Sequence, residues 1–205
     1  MKIAIDGPAA SGKGTIARKL ATHLELPYLD TGKLYRALAF LALEQKAALE
    51  DEKQLAQLAS SLDMNAFEDT ELRSANVGEA ASQIAALEGV RAALLTYQRD
   101  FASQKGGAIL DGRDIGSFIL PDADVKLFIT ASPEIRAERR LKELLAKGEN
   151  TDFATVLHDI KVRDERDCTR KTAPLIKMED AHLIDTTNLG IEAAFKASLQ
   201  AILAQ

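Results

Sequence analysis

Apolar positions along this chain follow two rhythms, short continuous runs and longer stretches at helical spacing, and the two alternate. The runs predict strands near Lys2 to Asp6, Tyr28 to Asp30, Ala108 to Asp111, Val125 to Thr130 and His182 to Asp185. Ile16, Leu20 and Leu24 recur at i, i+4 and i+8, so a helix follows the first strand. Leu55, Leu58 and Leu62 mark the face of a helix over 51–62, and Val90, Leu94, Tyr97 and Phe101 that of another over 90–101. Ser132, Pro133 and Glu134 make a helix start, with Lys147 and Gly148 as its stop. A further helix begins near Asp152 and turns Phe153, Val156, Leu157 and Ile160 toward the core. Residues 63–76 are polar and aperiodic and read as an excursion from the sheet. Strands alternating with helices in this way predict a parallel sheet covered by helices.

In open sheets of that kind ligands gather beyond the carboxyl ends of the strands, where most of these runs end on an acidic residue or Thr. Thr31 and Gly32 start one such loop, and Gly112 to Gly116 form another. The loop after the first strand is the most telling: Gly7, Pro8, Ala9, Ala10, Ser11, Gly12, Lys13, Gly14 and Thr15 carry the spacing GxxxxGK. Its backbone amides converge on an anion, and the Lys13 ammonium closes over the outer phosphates. Glycine is expected there because side chains would block the approach. The helix that follows aims its positive end at the same anion. The position after Lys13, commonly Ser or Thr, is Gly14, and the hydroxyl arrives at Thr15. A magnesium ion is therefore expected to be held mainly through phosphates and water.

At 205 residues the chain fits one domain, and 46% apolar content supports a full core. A net charge of −5 argues against a general binder of nucleic acid or membrane surfaces, so any anion site must be a local cluster of arginines. Arg113 and Asp114 follow the third strand; the planar fork of arginine suits phosphate, while Asp114 reads equally as a turn former. Arg163, Asp167 and Arg170 continue the apolar face of the helix from Asp152. They either overhang a polar cleft or form a solvated face whose ion pair is worth about 0.3–0.5 kcal/mol. Arg136, Arg139 and Arg140 read either as part of a lid or as a basic solvated face. His23, His158 and His182 form no cluster. The single Cys168 makes no internal disulfide, and no apolar stretch is long enough to span a bilayer, so a reducing cytoplasm is the expected setting.

The strings IAIDGPAASGKGT from Ile3, YLDTGKLYR from Tyr28, ASQIAALEGVR from Ala81, LDGRDIGSFILPDADVKLFITAS from Leu110 and RDERDCTRKTAPL from Arg163 together resemble the bacterial cytidylate kinases. GKGT itself is common among nucleoside monophosphate kinases. The resemblance implies an α/β P-loop fold of three layers, with a five-stranded parallel sheet flanked by helices. Its core would span 1–30, 104–135 and 172–205, with a small helical monophosphate-binding insert over 31–103 and a short lid over 136–171. The resemblance also implies ATP phosphates, with Mg2+, on Gly7 to Thr15, and phosphoryl transfer to CMP or dCMP by a monomer. Thr31, Arg36, Arg113 and Arg170 would surround the acceptor phosphate, Arg163 and Asp167 the sugar, and Ser82, Arg91 and Asp114 the base. Lys13, Arg113 and Arg163 would spread positive charge over the transferred group. Many members carry an antiparallel insert for which 63–83 is too short here, so a thinner wall over the pyrimidine and sugar is expected. Other readings are a P-loop kinase for UMP, AMP or a sugar, or a nucleotide-dependent switch. Against the switch stand the missing NKxD signature and the scatter of arginines over several loops.

Overall fold

In the computed structural model, which describes residues 1–68 and 71–204, a strand forms at each apolar run. They are β1 (Lys2–Asp6), β2 (Tyr28–Asp30), β3 (Ala108–Gly112), β4 (Val125–Thr130) and β5 (His182–Asp185). All pairs are parallel, in the order β2-β3-β1-β4-β5. The helices are α1 (Lys13–Leu24), α2 (Thr31–Glu44), α3 (Glu52–Ser60), α4 (Ala75–Ile84), α5 (Glu88–Ala102), α6 (Pro133–Ala146), α7 (Phe153–Thr169) and α8 (Ile191–Leu203).

The central strands carry continuous apolar runs, Ile3 to Ile5, Ala108 to Leu110 and Leu127 to Ile129, because both faces of the sheet are covered. Ile3 and Ile5 join Ile109, Leu127 and Ile129 on one face, closed by Leu20 of α1 and Ile202 of α8. Ala4 and Leu110 point the other way, onto Ala102, Ile115 and Ile119. Two further clusters lie off the sheet. Leu38, Leu55, Ile84 and Leu94 tie α2 to α5 into a helical unit, and Ala137, Leu144, Val156 and Ile160 zip α6 onto α7.

Some local expectations change. No loop starts at Thr31: β2 passes directly into α2, because Asp30 ends the strand and also caps the helix, accepting from the Lys33 N–H at 3.1 Å. Along α5 the buried stripe is Val90, Leu94, Gln98 and Ala102, and Tyr97 is 46% exposed. Gln98 fits that stripe because its amide donates to the Leu94 carbonyl. Phe153 is exposed as well, standing at the first residue of α7 outside the Val156–Ile160 contact. The stretch over 63–76 holds short 3₁₀ turns at Met64–Ala66 and Glu71–Arg73 and the start of α4. Asp69 and Thr70 of that stretch, and Gln205, lie outside the described residues.

Candidate active site

The ends of β1 and β3 adjoin, with Asp6 opposite Gly112 in the parallel register. Beyond them opens a cleft of about 940 Å³. Ala9 to Thr15 line one end, but Gly7 and Pro8 do not reach it. A Cβ on Gly7 would stand 2.0 Å from the Ile129 carbonyl oxygen, so that glycine answers to the backbone of β4 rather than to a ligand. Gly12, at φ +87°, serves differently: it gives α1 a left-handed N-terminal residue that β-carbon-bearing side chains rarely adopt.

From the other walls come Thr31 and Arg36 of α2, Ser82 of α4, Arg91 of α5, Arg113 and Asp114 after β3, and Arg163, Asp167 and Arg170 from α7 and its C-cap. The structure thus gathers every one of these sequence-read residues around one cavity. Arg163, Asp167 and Arg170 overhang the cleft, which decides between the two readings left open for that face.

The pairings inside the cleft are specific. Arg36 donates to Asp30 at 2.7 Å, and the Thr31 hydroxyl to the Asp111 carbonyl at 2.8 Å. Arg113 Nε donates to Asp167 Oδ2 at 2.8 Å. Asp114 takes Arg91 on one oxygen and Arg170 on the other, the second at 3.3 Å, with all three side chains almost fully buried. Burial raises the Asp114 carboxyl, against the pull of both guanidinium groups. Tyr35 stands beside this triad, its hydroxyl accepting from Arg91 at 3.4 Å, and burial pushes its own pKa up to about 12.

Lys13 and Arg163 are different. Both line the cleft, and neither side chain makes a hydrogen bond or ion pair among the described residues. Burial lowers Lys13 to about 7, with Arg113 adding to it, and lowers Arg163 to about 10, again with Arg113 adding. The Arg163 Nε is buried with no hydrogen-bond partner among the described residues.

Some residues of the site lie within the resembling strings but were given no role of their own. Asp111, beneath Lys13, accepts from the Tyr28 hydroxyl at 2.9 Å; burial raises its carboxyl, and nearby Asp30 adds to that. Arg166 reaches across to Ser82. Asp30 and Asp111 stood out in the sequence as the acidic endings of their strands, at the edge where ligands gather.

Arg136 and Arg139 do not form a solvated face. Arg136 is buried, bidentate on Asp164 at 2.9 and 2.6 Å, and also donates to the Ala9 carbonyl. Arg139 donates to the Ser11 carbonyl and to the carbonyl of Thr186. They brace the loop by its Ala9 and Ser11 carbonyls, which turn toward α6. Arg140 alone stays at the cleft rim, paired with Glu143 at 3.3 Å. The histidines sit apart, with His23 edge-on to Phe195, and no group that could hold a metal by protein ligands alone occurs among the described residues.

A family model for cytidylate kinase matches residues 3–203. A cytidylate kinase of Xanthobacter autotrophicus is 55% identical over 100% of this chain and 98% of its own length. One of Methylocella silvestris is 56% identical over 97% and 92%, and one of Brucella suis 52% identical over 98% and 91%. Among solved structures, an uncharacterized protein of Eubacterium ventriosum shares the fold, with a TM-score of 0.56 at 17% identity over 100% of this chain and 99% of its own. A Thermus thermophilus protein gives 0.50 at 22% identity over 100% and 96%. No helix among the described residues is long and apolar enough to cross a membrane. With the model spanning nearly every residue and full-length relatives above half identity, the chain belongs to the cytidylate kinase family.

Proposed function

We propose that this protein transfers the γ-phosphoryl group of ATP to CMP or dCMP, giving ADP and CDP or dCDP by in-line displacement. The observation that carries the reading is the pair of cations without a hydrogen bond or ion pair among the described residues, Lys13 and Arg163, lining the cleft with Arg113. Partly desolvated positive charges that repel one another call for an anionic ligand.

The donor polyphosphate lies on the loop from Gly7 to Thr15, most closely on Ala9 to Thr15. Arg36, Arg113, Arg170 and Thr31 hold the acceptor phosphate, Arg163 and Asp167 the sugar, and Ser82, Arg91 and Asp114 the base. A phosphate monoester has its second pKa at about 6, so the attacking oxygen is already ionised and needs no protein base. What remains is positioning and charge stabilisation, the task of Lys13, Arg113 and Arg163 with the loop amides. Cytosine presents an amino donor where uracil presents an oxygen, and the Asp114 carboxylate accepts from the first and repels the second.

Asp30, Asp111 and the Thr15 hydroxyl line the cleft near Lys13 as hard oxygen donors, too few to cage an ion. They suit Mg2+ that keeps its waters and rides on the phosphates, and when bound it neutralises charge on the transferred group. The helical unit of α2 to α5 is the acceptor-binding region over 31–103, and the α6–α7 hairpin the lid over 136–171. A cytoplasmic monomer fits this assignment.

The test is ADP formation by the purified protein with CMP, dCMP, UMP and AMP. CMP and dCMP are expected to be far better acceptors. Equal use of UMP or AMP, or steady ATP hydrolysis with no acceptor, would overturn the reading.

A further inference from the structure

Asp6 ends β1 one residue before the phosphate loop, yet it does not line the cleft. It is 5% exposed, and its two carboxylate oxygens accept from the backbone N–H of Ile115 at 2.7 Å and of Gly116 at 2.8 Å. Those are the first amides of the π-helical turn Ile115–Ile119 that follows β3. Leading amides of a helical turn have no partner inside it and need a cap.

The residue in the capping position is Asp114, a residue type that ordinarily caps with its own side chain. Here it makes no such bond. Its carboxylate is turned the other way, to Arg91 and Arg170 in the cleft. Strand pairing supplies the substitute. Because Asp6 stands opposite Gly112, its side chain reaches under the chain as it leaves β3. Space is tight there: a Cβ on Gly116 would stand 3.4 Å from Asp6 Oδ2 and 3.1 Å from the Lys126 side chain. Burial pushes the Asp6 carboxyl up to about 7, and the two amides pull against that rise, as expected of donors that favour the ionised form.

We infer that Asp6 is a positioning residue for acceptor recognition: it caps the Ile115–Ile119 turn in place of Asp114, and so holds the Asp114 carboxylate toward the base subsite. The inference rests on the acceptor reading above. Its consequence is that a residue outside the cleft governs the choice between CMP and UMP. If Asp6 loses one acceptor, the turn that starts at Asp114 is held by one bond instead of two, and the carboxylate is directed less firmly at the base.

Asp6→Asn keeps the size of the side chain but sets an amide donor against one of the two N–H groups. The expected result is a drop of about tenfold in the ratio of kcat/KM for CMP to that for UMP, with the KM for ATP within about twofold of the parent. In an Asp114→Asn background the same change should have no further effect on that ratio. Gly116→Ala presses on the same contact while leaving Asp6 in place, and should move the ratio in the same direction. An Asp6→Asn protein that folds and keeps the parent ratio, or loses ATP and CMP use in equal measure, overturns the inference. If Asp6→Asn does not fold, an unchanged ratio in Gly116→Ala overturns it instead. Failure of the parent protein to phosphorylate CMP would sink the acceptor reading itself, and the parent arm reports that separately.

Discussion

Arg166 of α7 donates to the Ser82 hydroxyl of α4 at 2.9 Å, and its other terminal nitrogen donates to Glu79 at 2.8 Å. The helical unit of α2 to α5 and the α6–α7 hairpin are thereby tied together beside the cleft. Glu79 is half-exposed, so its ion pair contributes about 0–1 kcal/mol, but Ser82 is buried and its hydroxyl accepts from the guanidinium.

Arg166→Ala is therefore expected to raise the KM for CMP about three- to tenfold and leave the KM for ATP unchanged. Ser82→Ala should do the same, and the double variant should be no worse than Ser82→Ala alone, because one effect passes through the other. Steady-state kinetics on the three proteins checks this. Additive losses would show that Arg166 acts elsewhere.

Asp114 is expected to behave differently when removed and when neutralised. Deleting its carboxylate strands two buried guanidinium groups, a change that costs about 3–5 kcal/mol, so Asp114→Ala should lower Tm as well as CMP use. Asp114→Asn fills the same space and keeps one acceptor. It should retain most of the stability and lose mainly the preference for CMP over UMP, while the Kd for ATP stays within about twofold. Thermal melts beside kcat/KM ratios separate the two effects. A fall in ATP affinity equal to that for CMP would remove Asp114 from the base subsite.

Lys13 should make nucleotide binding a proton-linked event. Its amine is lowered to about 7 by burial and by Arg113, so at pH 8 the free protein holds it mostly neutral. A polyphosphate favours the ammonium and raises that pKa again. Binding of ATP at pH 8 is then expected to take up close to one proton, and at pH 6, where the amine is already charged, almost none. Calorimetric titrations in two buffers of different ionisation enthalpy measure the uptake. Lys13→Met should abolish it and lower turnover by orders of magnitude without lowering Tm, since the fold loses only a poorly solvated charge.

Much of this was legible in the sequence, and the physical reason differs by element. Strands buried on both faces must be continuous apolar runs, so Ile3 to Ile5 and Leu127 to Ile129 announce themselves. Helix α2 was hidden because Asp30-Thr31-Gly32 has the composition of a turn, and nothing local reveals that one aspartate both ends a strand and caps a helix. In the site, Lys13 and its glycines form a contiguous motif, whereas Arg91–Asp114 and Arg136–Asp164 exist only once distant segments are packed together. Asp6 was read as part of a strand end, since its two amide partners lie on a turn more than a hundred positions away.

The glycines of the phosphate loop give the last prediction, because the structure assigns them unequal work. At Gly7 the chain runs at φ +153°, and an added Cβ would fall 2.0 Å from the Ile129 carbonyl oxygen, a backbone atom that cannot swing aside. Accommodating it means parting β1 from β4 at the point where Asp6 pairs with Phe128. A cost of about 3 kcal/mol or more is expected for Gly7→Ala, lowering Tm by about 6–12 °C in a chain of this size. At Gly14, by contrast, a Cβ would meet only side-chain atoms, the nearest being Asp111 Oδ2 at 3.5 Å, an ordinary contact. Gly14 also lies in the first turn of α1, where alanine is the better helix former. Gly14→Ala should therefore keep or slightly raise Tm, and whatever it costs should appear in ATP kinetics alone. Melting curves for the two variants decide the matter. If Gly7→Ala melted like the parent and lost only ATP binding, ligand approach rather than strand packing would be the reason for glycine at that position.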